Sequence, residues 1–125
     1  MVTIDEFRAI AGALPGVEEQ GGPSFAVNGR SFAWPWRERV HPKETKVPRP
    51  ECPVVPVASL DDKEALVLGE PDAFFTEPHY DGYKAVIVRL HQIDPGRLRE
   101  VLEDAHAIAV AQGPPKPRKR HPQVT

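Results

Sequence analysis

The sequence predicts an α+β two-layer sandwich, an antiparallel sheet with the N- and C-terminal helices packed on one of its faces. Three observations carry that expectation: amphipathic helical spacing at both ends of the chain, an Asn28-Gly29 turn between two aromatic and apolar runs, and a β-branched run over residues 85–90. The order of elements, helix, strands, short helices, strand and long helix, is not the alternation that a parallel sheet needs.

Thr3 opens the first helix as one half of a capping box, with Glu6 three residues later, and Val2 is placed to staple against Phe7. Phe7, Ile10, Ala11 and Leu14 recur at helical spacing until Pro15-Gly16 stops the helix, and residues 18–22 read as a polar, glycine-rich connection. Residues 25–34 read as a hairpin, because Asn28-Gly29 tolerates the positive φ angles of a type I′ turn. Pro35, Pro42, Pro48, Pro50, Pro53 and Pro56 restrict the strands that follow to short, bulged or edge positions, since proline cannot donate to a ladder; residues 54–58 are the best candidate.

Ser59 or Asp61 caps a short helix through Leu68, and Gly69 and Pro71 separate it from a broken helical turn holding Phe74 and Phe75. Residues 79–83 read as a turn, and residues 85–90 as the central strand. Asp94-Pro95 then starts the long C-terminal helix, whose stripe of Leu98, Val101, Leu102, Ala105, Ile108 and Ala109 faces the core before Gly113 and Pro114 end it. Arg97 with Glu100, and Arg99 with Glu103, mark its solvent face.

With 125 residues, 40% of them apolar and 27% charged, the chain holds one folded domain over residues 1–112, followed by a basic, proline-rich tail at 113–125 that lacks the means to pack. The net charge of −2 is unevenly spread. The tail carries Lys116, Arg118, Lys119 and Arg120 and no acid, which leaves −6 on residues 1–112; within that body, residues 37–49 carry five cations against Glu38 and Glu44. A basic stripe is the electrostatic footprint of a polyanion partner. Cys52 is the single cysteine, which excludes a disulfide framework and fits a reducing cytoplasm. No apolar run is long enough to span a bilayer, and the N-terminus lacks the regions of a secretion signal, so a cytoplasmic chain with no membrane partner is expected.

Enzyme chemistry finds no pattern. The five histidines, His41, His79, His91, His106 and His121, show no metal-ligand spacing; Cys52 sits beside Glu51, which disfavours the thiolate; no serine has a nucleophile-elbow context and no glycine loop follows a strand. Neither a metal nor a cofactor is expected. The densest polar and aromatic cluster is His79, Tyr80, Asp81 and Tyr83, which could converge on a ligand or simply form a packed turn, and Trp34 and Trp36 alternate on one strand face.

Taken in order, Leu14-Pro15-Gly16-Val17-Glu18-Glu19 with Phe7, Phe32-Ala33, the basic segment 37–43, residues 60–66, 86–90 and 98–105 resemble the MmcQ/YjbR family of small bacterial proteins. Phe74-Phe75-Thr76-Glu77-Pro78-His79-Tyr80-Asp81-Gly82-Tyr83 is the most distinctive piece. The resemblance covers residues 3–111, and His106 stands where similar sequences carry a tryptophan. It implies a frataxin-like (CyaY-like) sandwich and a DNA-binding protein with a double-wing motif. The first helix, with Asp5, Glu6, Glu18 and Glu19 near its ends, lacks the dense acidic ridge that a frataxin-like iron role would need.

The expected function is therefore a small, non-enzymatic DNA-binding protein whose Asn28-Gly29 hairpin and following basic segment act as wings, with Arg30, Arg37, Arg39, Lys43, Lys46 and Arg49 on phosphates. The alternative is a small-molecule or protein-binding module built on the sheet face, with Trp34, Trp36, His79, Tyr80, Asp81 and Tyr83 as its contacts.

Overall fold

The computed structural model describes residues 1–41 and 43–115. Its elements are α1 (Ile4–Gly12), β1 (Val17–Gln20), β2 (Ser24–Val27), β3 (Arg30–Glu38), β4 (Val47–Pro56), α2 (Leu60–Gly69), β5 (Phe74–Phe75), β6 (Ala85–Val88) and α3 (Pro95–Gln112). Short 3₁₀ turns occupy Pro78–Tyr80 and Leu90–Gln92. All six strands join one antiparallel sheet in the order β1-β2-β3-β4-β6-β5.

The helix ends follow their sequence signals. Thr3 Oγ1 accepts from the Glu6 amide at 3.1 Å while Glu6 Oε1 accepts from the Thr3 amide at 2.9 Å, and Val2 and Phe7 are both buried as the staple requires. Ser59 caps α2 through the Asp62 amide, Asp94 caps α3 through the Gly96 amide, and Gly113, at φ 72°, ends α3 in a conformation that favours glycine. Asn28 and Gly29 have φ of 53° and 77°, the pair of positive angles that a type I′ turn demands.

One sheet face carries the main core. Phe7 and Ala11 of α1 and Leu98, Val101, Leu102, Ala105 and Ala109 of α3 pack with Phe25, Val27, Phe32, Ala33, Val55, Val86 and Val88 of the sheet. A bulge supports this packing: Phe25 pairs with Ala33 but Ala26 with Ser31, so Phe32 is the extra residue and both it and Ala33 reach the helix layer. His106 keeps an aromatic contact from α3, its ring edge-on to Phe32 at 5.5 Å and its Nε2 donating to the Pro15 carbonyl at 2.7 Å.

Three elements differ from the sequence expectation. Residues 18–20, read as part of the connection over 18–22, join Val17 in the edge strand β1 against β2; the strand is polar because most of it faces water. Phe74 and Phe75, read as helical, form β5 by pairing with Val88 and Ile87. The strand expected over 54–58 is the far longer β4, in which Pro48, Pro53 and Pro56 stay in register and a bulge takes up Pro50: Pro35 pairs with Pro53 but Trp36 with Arg49, leaving Pro50, Glu51 and Cys52 outside the register. Arg97 also does more than mark a solvent face, for its guanidinium grips Glu70 at 2.6 and 3.0 Å and so ties α3 to the end of α2. The basic tail, from residue 116 onward, lies outside the described residues.

Candidate nucleic-acid interface

Strand alternation places Trp34 and Trp36 on the sheet face away from the helix-packed core. Register then builds a row across four strands, in which Trp34 pairs with Val54, Val54 with Ile87, and Ile87 with Phe75. Val54, Ala85 and Ile87 are buried there, and Trp34, Trp36, Phe75 and Tyr80 pack over them half-buried. Trp36 meets Phe75 edge-on at 5.3 Å, and the Arg89 guanidinium lies 4.1 Å above the same ring.

The turn that covers this face is fixed from beneath. Lys63, buried on α2, donates through Nζ to the carbonyls of Tyr80 at 2.5 Å and Tyr83 at 2.9 Å. Burial pushes its pKa below the usual lysine value, with Asp81 pulling in the opposite direction. Tyr80 and Tyr83 stack at 5.7 Å with 27° between their planes, and Tyr83 stays 54% exposed, a large aromatic surface left to solvent. Trp34, His79, Tyr80, Asp81, Gly82 and Tyr83 line an open cavity of about 600 Å³. Trp36 is not part of it.

Immediately beyond His79 the surface turns basic. Arg37 and Arg39 from the end of β3, Lys46 from the start of β4, and Glu77, Pro78 and His79 line a second cavity of about 520 Å³. His79 belongs to both cavities, so residues predicted for two alternative sites form one continuous surface. Among the described residues no ion pair engages Arg37, Lys43 or Lys46. Arg39 donates to the Glu44 carbonyl at 3.2 Å and Arg49 is held by Glu38 at 2.8 Å, both contacts within the β3–β4 hairpin. Arg30 is elsewhere. It begins β3, with Arg37 near the other end and Arg39 just past it, roughly 25 Å away at about 3.3 Å per residue; its Nε donates to the Gly113 carbonyl at 2.8 Å, and it lines a third cavity, of about 320 Å³, with Trp34, Tyr83 and Lys84.

The net negative charge of the body sits mostly on the other layer. α1, α2 and α3 carry net charges of −1, −2 and −1, whereas residues 37–49 carry +3. The basic excess of the β3–β4 hairpin thus contrasts with the net acidic helices, although Glu77 and Asp81 stand in the cavity linings themselves.

Three polar atoms near the basic cavity are buried with no hydrogen-bond partner among the described residues: Trp36 Nε1, Thr76 Oγ1 and Glu77 Oε1. Buried polar groups are nearly always paired with protein or ordered water, so water is the natural partner of these three atoms. Sequence reasoning passed over Glu77 and Lys63; the signal for Glu77 was its place beside Pro78 in the most distinctive segment, and a lysine inside a helix gives none. Among the described residues no group of three or more His, Cys, Asp or Glu could hold a metal ion, and no helix is long and apolar enough to cross a membrane. Burial, and then Glu51, push the Cys52 thiol above its ordinary pKa.

The family model described as YjbR matches residues 12–108. The chain belongs to the MmcQ/YjbR family. Its YjbR relatives include uncharacterized proteins of Mycobacterium tuberculosis and Mycobacterium bovis, each 36% identical over 111 residues, which is 84% of this chain and 86% of the relative. No solved structure matches this YjbR chain.

Proposed function

We propose that the protein binds nucleic acid, with DNA as the reference ligand, through the β3–β4 hairpin, and that it acts without enzymatic chemistry of its own. The observation that carries this reading is the convergence of Arg37, Arg39, Lys46 and His79 on one cavity, with Lys43 exposed at the hairpin tip. Guanidinium and ammonium groups gathered on one hairpin suit phosphates, which supply affinity and salt dependence and little sequence readout. Arg30 is left out of the contact set because its position at the opposite end of β3 and its bond to Gly113 suit a structural role.

The test is anisotropy of a labelled oligodeoxynucleotide at two salt concentrations, for the full chain and for a variant with Lys116, Arg118, Lys119 and Arg120 replaced by glutamine. Salt-sensitive binding that survives the replacement supports the hairpin; binding lost with the tail charges refutes it. A second reading, a small-molecule or peptide site, is favoured by the cavity over Trp34, Tyr80 and Tyr83. It gains ground if neither variant binds.

A further inference from the structure

We infer that the preferred nucleic acid is single-stranded, with a base seated over Tyr83, Tyr80 and Trp34 while the neighbouring phosphates lie on Arg37, Arg39 and Lys46. The inference rests on the nucleic-acid reading above and deepens it. A duplex offers this surface only its phosphates, because its bases are stacked inside; a single strand offers base faces as well, and sequence-tolerant single-strand sites combine a basic track with aromatic platforms. Here the two features are adjacent and share His79.

Asp81 and Tyr83 suit the aromatic cavity to a base better than to a phosphate. Asp81 stands in its lining, where a carboxylate repels phosphate but accepts hydrogen bonds from the amino edge of a base. Tyr83 presents an exposed ring already stacked on Tyr80, so a base extends an existing stack with little side-chain ordering left to lose. Lys63 holds the backbone of that turn at both tyrosines, which keeps the platform in place before any ligand arrives. Lys84 lines a further cavity with Trp34, Tyr83 and Arg30, and none of the hairpin-tip cations belongs to it, so it offers a cation beyond the aromatic platform for the phosphate that follows. The order along the surface is thus basic, aromatic, basic.

The experiment compares one labelled oligodeoxynucleotide as a single strand and as its duplex, at the same salt, with the full chain, Tyr83→Ala and Tyr83→Phe. Tyr83 is exposed, so the truncation leaves the core untouched. The single strand is expected to bind about tenfold more tightly than the duplex. Tyr83→Ala should remove about tenfold of single-strand affinity, the scale of one base–aromatic stack, leave duplex affinity within about twofold, and be rescued by Tyr83→Phe. Duplex binding as tight as single-strand binding, with Tyr83→Ala changing neither, overturns this inference and leaves the hairpin reading standing. Binding of neither form overturns both.

Discussion

Lys63 Nζ donates to the Tyr80 carbonyl at 2.5 Å, and the same ammonium reaches the Tyr83 carbonyl at 2.9 Å, so one buried lysine on α2 sets the shape of the turn that roofs the second sheet face. Lys63→Met keeps most of the side-chain volume and leaves two carbonyls short of a donor, at a cost of about 1–3 kcal/mol. Urea denaturation should show that loss, and oligonucleotide binding should weaken in step as Tyr83 loses its fixed position. Unchanged stability would mean that the turn holds its shape without the lysine.

Glu70 and Arg97 make the fold sensitive to acid. Two hydrogen bonds from Arg97 hold the Glu70 carboxyl below its ordinary pKa of 4.5. A depressed carboxylate stabilises the folded state above the unfolded value and loses that contribution as pH falls through the folded one, so the effect is present above about pH 4.5 and disappears below it. Both side chains are more than a third exposed, and solvent screening limits the contribution to about 1 kcal/mol. Glu70→Gln should lower Tm slightly at neutral pH and flatten the decline on the acid side; thermal melts across that range check both.

Glu38 spends Arg49 on an internal ion pair at 2.8 Å. Glu38→Gln removes an acid from the hairpin and releases the guanidinium, so polyanion binding should tighten by roughly twofold to tenfold while stability changes by less than about 1 kcal/mol. Anisotropy titrations at low salt measure the gain. Weaker binding instead would show that the paired geometry of Arg49 matters more than its charge.

Arg30→Gln separates structure from binding. The bond from Arg30 Nε to the Gly113 carbonyl fastens the end of α3 to the start of β3, and its loss should cost about 1 kcal/mol in a denaturant titration. Because Arg30 is remote from the hairpin tip, although it lines a cavity with Tyr83 and Lys84, the salt dependence of duplex binding should stay as it is in the parent chain. A flattened dependence would bring Arg30 back into the contact set.

The local chemistry of the fold was legible. Thr3 with Glu6, Ser59, Asp94-Pro95, Asn28-Gly29 and Gly113 each announce an end or a turn through their own hydrogen-bonding capacity or φ preference. What local signals miss depends on partners distant in the chain. Val17–Gln20 is a strand only because β2 pairs with it, Phe74–Phe75 only because β6 does, and β4 runs on past its prolines because Pro48, Pro53 and Pro56 find register partners while a bulge at residues 50–52 takes up Pro50.

The candidate site divides along the same line. Arg37, Arg39, Lys46, His79, Tyr80, Asp81 and Tyr83 stood out by residue type, yet nothing in their spacing says that a turn some forty residues later closes on the hairpin and joins two candidate sets into one surface. Arg30 and Arg37 look equivalent in sequence; the length of β3 separates them.

The most direct test of the central claim is the dependence of log affinity on log salt for the full chain against Arg37→Gln/Lys46→Gln. Each phosphate contact removed should reduce the magnitude of the slope by about 0.7 on a single strand and about 0.9 on a duplex, so the double variant should be shallower by about 1.4 on a single strand and about 1.8 on a duplex. An unchanged slope, with the variant folded as the parent, would contradict the claim that the β3–β4 hairpin carries the phosphate contacts.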